Sequence, residues 1–150
     1  MRRVATTIGL TCGVLLLFAL WLAPTGLAMP PQPALFYGAV KVNGANVPAG
    51  TVISAFVYAD DGLTEIVCGQ TTTQVQGGES VYAIAVNGDE PQTGDQEGAQ
   101  EGDSVHFWIG SGPGRLLAKE TGTWRSAQFT NLNLTADQVV PTPTATATPT

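Results

Sequence analysis

The sequence predicts an all-β domain, an antiparallel two-sheet sandwich of about seven strands of the Ig-like or prealbumin-like kind. Three observations predict it. Valine, threonine, isoleucine and aromatic residues recur in short runs between Leu35 and Asp137, glycine-rich punctuation separates the runs, and no run holds a helical period. The stretch is roughly a hundred residues, the size of one compact domain and too short for two well-buried cores.

The first run, LFYGAVKV (Leu35 to Val42), places Phe36, Val40 and Val42 on one face and Lys41 on the other, and stops at the turn dipeptide Asn43-Gly44. TVISAFVYA (Thr51 to Ala59) is apolar on both faces, as expected of a strand covered on two sides. Asp61-Gly62 then turns the chain into LTEIVCGQTTT, which makes a hairpin with it. In SVYAIAV (Ser80 to Val86) the bulky set Tyr82, Ile84 and Val86 alternates with Val81, Ala83 and Ala85 and is expected to face the core. SVHFWIG (Ser104 to Gly110) sends Val105, Phe107 and Ile109 one way and His106 with Trp108 the other. GSGPG reads as a hairpin turn, RLLAKE as a short strand, and AQFTNLNLT as a last strand burying Leu132 and Leu134 while Asn131 and Asn133 face out.

The ends read differently. Met1-Arg2-Arg3, an apolar stretch and the small residues Gly26 and Ala28 have the three-part grammar of a secretory signal, so residues 1–28 are expected to form a signal helix cleaved after Ala28. The rival reading is an uncleaved anchor over Ile8 to Leu27, which would be the protein's one contact with a membrane. Residues 29–34 form a short extended lead, 35–137 the sandwich, and 138–150 a Pro/Thr-rich linker or stalk that cannot build a core and is expected to be disordered. The expected location is secreted, extracellular or on the cell surface. Cleavage leaves four basic residues against twelve acidic ones, a net charge of −8 that excludes nucleic acid as a partner. Only Cys68 then remains, expected to be an inert core thiol.

Two stretches carry a resemblance. YGAVKVNGANVPAGTVISAFV (Tyr37 to Val57) and TTTQVQGGESVYAIAV (Thr71 to Val86) are similar to the strand-turn-strand segments of the carboxypeptidase regulatory-like and transthyretin-like sandwich domains of secreted bacterial proteins. Gln74 to Ser80 departs from that pattern, which places an Asp-Gly turn before the tyrosine, and the acidic insertion after Val86 exceeds the customary connection. Hydrolytic relatives in that group use several histidines, an arginine and a YRGS ending, and dioxygenases on a similar sandwich use two histidines and two tyrosines on iron. This chain has the single histidine His106 and neither ending nor pair.

No catalytic residues are expected. One imidazole cannot supply a zinc or non-haem iron site, which needs three or four convergent ligands, and no G-x-S-x-G or phosphate cradle occurs. The loop GDEPQTGDQEGAQEGD (Gly88 to Asp103) gathers half of the chain's carboxylates. It reads either as a solvated excursion or as a calcium site, for which Asp89, Glu101 and Asp103 are the candidate ligands because they border the strands or lie next to them. It matches neither the EF-hand loop nor glycine-aspartate repeats.

The expected function is a non-catalytic structural spacer or adhesion-like binding module. The alternatives are a carbohydrate-binding module using Trp108 and Trp124 as stacking rings, and a calcium-stabilised surface domain. The partner would be a surface protein or polysaccharide.

Overall fold

A computed structural model describes residues 30–138, where the regular structure is almost wholly strand, in two packed sheets. The segment 1–28 expected to be a signal, and the stretch beyond Gln138 expected to be a linker or stalk, lie outside the described residues. In chain order the strands are β1 (Ala34–Val42), β2 (Ala45–Asn46), β3 (Val52–Tyr58), β4 (Glu65–Thr72), β5 (Gln74–Gln76), β6 (Glu79–Val86), β7 (Ser104–Ile109), β8 (Leu116–Leu117), β9 (Gly122–Thr123), β10 (Phe129–Asn131) and β11 (Leu134–Ala136). The first sheet runs β10, β1, β6, β5, with β2 and β11 also on β1. The second runs β4, β3, β7, β8, with β9 on β7. Pairing between these strands is antiparallel apart from β10 and β11, which run parallel to β1.

The alternation read from sequence is the alternation observed. Phe36 and Val40 of β1, Tyr82, Ile84 and Val86 of β6, Val105, Phe107 and Ile109 of β7, and Leu134 of β11 are buried between the sheets. Phe107 meets Phe36 and Tyr82 edge-on across the core, with ring centres 5.5 and 6.1 Å apart. Edge-to-face contact suits the ring quadrupoles and adds to the ~1.5–3 kcal/mol that burying each large apolar side chain contributes.

Strand β3 is apolar on both faces, but among the described residues no second layer covers its outer one. Ile53, Ala55 and Val57 enter the core, while Phe56, fully buried, lies on the opposite face beneath Tyr58, His106 and Trp108. Neighbouring rings on one pleated surface bury it.

The last predicted strand divides at Leu132. There the Leu132 amide donates to the Tyr37 carbonyl and the Tyr82 hydroxyl donates to the Leu132 carbonyl, both at 2.8 Å. The Asn133 side chain then accepts from the Ala39 amide at 2.9 Å, standing in for a ladder carbonyl. RLLAKE yields only β8, and the GSGPG turn before it contains a short 3₁₀ segment, Gly112–Gly114.

Strands β2, β5 and β9 lie outside the runs expected from sequence. Gly77 and Gly78, both at positive φ, close a two-residue hairpin between β5 and β6. This replaces the Asp-Gly turn of the resemblance and adds β5 to the edge of the first sheet. The chain reaches β5 from the second sheet through the buried Thr73, whose hydroxyl donates to the Pro48 carbonyl at 2.8 Å and accepts from the Thr51 amide at 3.1 Å.

Candidate ligand-binding site

The outer face of the first sheet is a trough. Register sets its floor. Residues Tyr37 and Ala39 of β1 stand opposite Ala83 and Val81 of β6, so the side chains facing Tyr37 and Ala39 across the strands are short. At Gly38 a Cβ would run into the Leu132 carbonyl, so β1 can lie this close to the β10–β11 junction only without a side chain there.

The flanking strands raise the rims. Asn131 of β10 pairs with Tyr37, and Asn133 follows it; on the other side Gln74 and Gln76 of β5 pair with Val81 and Glu79. Thr71 and Thr72 at the end of β4 complete that second rim. The open trough has a volume of about 600 Å3, within the range of small-ligand sites. Asn133 is fixed in orientation by the Ala39 amide, which leaves its NH2 group directed away from the backbone it serves. Among the described residues no hydrogen bond occupies the side chains of Gln74, Gln76 or Asn131. The acidic group at the trough, Glu79, is paired with Lys41 at 3.3 Å.

Trp108 and Trp124 are far apart in character. Trp124 is 2 % exposed, and its indole nitrogen donates to the Val86 carbonyl at 2.9 Å, so neither ring face is open to a stacking sugar. Trp108 is half-buried on the outer face of the second sheet, stacked against Phe56 at 5.5 Å. The Arg115 guanidinium carbon sits 4.1 Å from its ring centre, and Glu65 accepts hydrogen bonds from both the indole and Arg115 at 3.2 Å. Cation–π contact and ion pair thus hold Arg115 over the ring a ligand would need. His106 belongs to the same cluster, 5.4 Å from Phe56 and 5.2 Å from Tyr58.

The acidic loop is folded onto its own base. Gly88 bridges Ala99, which is buried, and backbone bonds join Asp89 to Ala99 and Trp124 to both Gly102 and Asp103. Each candidate calcium ligand already serves a protein group. Asp89 accepts from the Glu97 amide at 2.8 Å and the Gln100 side chain at 3.3 Å, Asp103 accepts from the Gln100 amide at 2.8 Å, and Glu101 pairs with Arg125 at 3.4 Å. Among the described residues no three His, Cys, Asp or Glu side chains converge as a metal cage. A hollow of about 500 Å3 between Pro31, Pro91 and Trp124 is bordered by Asp89 and Glu101.

Cys68 is buried, with its thiol against the Ile66 carbonyl at 3.3 Å, and burial pushes its pKa up to about 11. A thiol held neutral is a poor nucleophile.

The sequence reading put Asn131 and Asn133 on the solvent side but missed Gln74, Gln76 and Tyr37 as partners to them. The Gly-Gly dipeptide inside QVQGGES, flanked by alternating residues, is the hairpin signal that would have found β5. No protein-family model matches the chain, and no curated protein matches it.

Proposed function

We propose that the chain is a secreted or cell-surface, non-catalytic β-sandwich module that binds carbohydrate in the trough of its first sheet. The observation that carries this reading is the pair of opposed carboxamide rims, Asn131 with Asn133 and Gln74 with Gln76, around the half-exposed ring of Tyr37. A sugar ring has an apolar C–H face and a girdle of hydroxyls that both donate and accept. A carboxamide likewise both donates and accepts, and an aromatic ring offers the apolar face its counterpart. Tyr37 takes the stacking role in place of Trp124, which is buried, and of Trp108, which Arg115 overlies.

The resemblance to carboxypeptidase regulatory-like domains supports the same reading, since it implies an accessory module. A pure spacer would share the fold and leave the trough without use. Retention on insoluble neutral polysaccharides separates the two. The protein is expected to be retained on at least one of them, and Tyr37→Ala and Asn131→Ala to lose retention while keeping the wild-type thermal midpoint to within a few degrees. No retention of the wild type on any polysaccharide would sink the proposal.

A further inference from the structure

Resting on the carbohydrate reading, we infer that the site extends beyond the trough to Phe129, which forms an outer subsite for an uncharged oligosaccharide lying along β1. Phe129 is 70 % exposed, an unusual position for a phenylalanine. It pairs with Leu35 of β1, two residues before Tyr37, and lies on the same side of the sheet as Asn131, because alternate strand residues share a face. Two residues along a strand span about 7 Å. The rings of Tyr37 and Phe129 therefore rise from neighbouring positions of one surface. The outward residues opposite Leu35 and Tyr37 on β6 are Ala85 and Ala83, so nothing bulky on β6 interrupts the path between the two rings. Two exposed aromatic rings on one face beside a polar trough suit the apolar faces of linked sugars.

Charge selects the class of sugar. Among the described residues no lysine or arginine lines the trough, and its one acid, Glu79, is paired with Lys41. Uronate or phosphorylated sugars would find no cation there and would meet a domain carrying twelve acidic residues against four basic ones over 30–138. Carboxamides and hydroxyls favour neutral chains.

Calorimetry with the neutral hexasaccharides and disaccharides of cellulose, xylan and mannan, and with hexagalacturonate, tests this on the wild type, Tyr37→Ala, Phe129→Ala and Phe129→Trp. The wild type is expected to bind at least one neutral hexasaccharide and to ignore hexagalacturonate. Phe129→Ala should weaken the hexasaccharide roughly tenfold, about 1.4 kcal/mol, leave the disaccharide unchanged, and be rescued by Phe129→Trp. Tyr37→Ala should weaken both lengths. Hexasaccharide affinity indifferent to Phe129 would overturn the outer subsite while the trough reading stands. Hexagalacturonate binding as tightly would overturn the neutral class. Binding of no hexasaccharide would bring down the inference together with the reading beneath it.

Discussion

The indole nitrogen of Trp124 donates a 2.9 Å hydrogen bond to the carbonyl of Val86, the last residue of β6. The same residue's backbone accepts from Gly102 at 3.0 Å and donates to Asp103 at 2.8 Å, so one side chain and its amide close both ends of the acidic loop against the core. Trp124→Phe is expected to cost about 1–3 kcal/mol, because it leaves a buried carbonyl without its donor. Trp124→Ala should cost ~3–5 kcal/mol, since a large cavity is added. Urea unfolding measures both. Retention of folded Trp124→Phe protein on a polysaccharide that holds the wild type should be unchanged, which separates its structural role from that of Tyr37.

At Gly69 a Cβ would collide with the Ala85 carbonyl oxygen and would sit 3.4 Å from Ile84. The obstacle is backbone, which cannot swing aside, at the point where β4 crosses against β6 and the Asn87 amide donates to the Cys68 carbonyl at 2.9 Å. Gly69→Ala is expected to lower stability by ~2–3 kcal/mol as an overpacked contact. Gly94→Ala, with open space around it, should stay within about 0.5 kcal/mol of the wild type. Equal effects at the two sites would contradict the close approach.

Cys68 gives a pH dependence. Its thiol ionises near 9.0 when exposed and near 11 in the fold, so below pH 9 both states bind the proton and stability is insensitive to it. Between pH 9 and 11 the unfolded chain sheds that proton and the folded one keeps it, so stability should fall across this window. Cys68→Ala should flatten the decline. Aromatic disulfide reagents at pH 8 should label the native protein far more slowly than the urea-unfolded protein; equal rates would show the thiol open to solvent.

Asp89 and Asp103 hold loop amides, which fixes what their removal should do. Asp89→Ala and Asp103→Ala are each expected to destabilise by ~0.5–1.5 kcal/mol through the lost hydrogen bonds, equally in EDTA and in millimolar calcium. Thermal unfolding in both buffers, with magnesium as control, is the measurement. A calcium-specific rise of the wild-type midpoint that vanishes in Asp89→Ala and Glu101→Ala would make these carboxylates ligands instead.

Much of the fold was legible residue by residue because its cues are local. Period-two alternation placed Tyr82, Ile84 and Val86 inside, and Asn43-Gly44 and Asp61-Gly62 marked turns that the chain does make. The burial of Phe56 was legible too, but not its cause. Apolar character on both faces of β3 reads the same whether a second layer or neighbouring rings supply the cover, and only the pairing of β3 with β7 brought His106 over it.

The candidate site was legible only in pieces. Sequence by itself determined the β class, the outward direction of Asn131 and Asn133, the shared face of His106 and Trp108, and the concentration of carboxylates in one loop. The tertiary structure alone decided that Trp124 is buried, and that β10 and β5, more than fifty residues apart in the chain, stand as the two rims of one trough around Tyr37. The reason is physical. Side-chain direction follows from backbone geometry within a strand, whereas strand order and register follow from which distant apolar faces bury each other best, and no local window contains that competition.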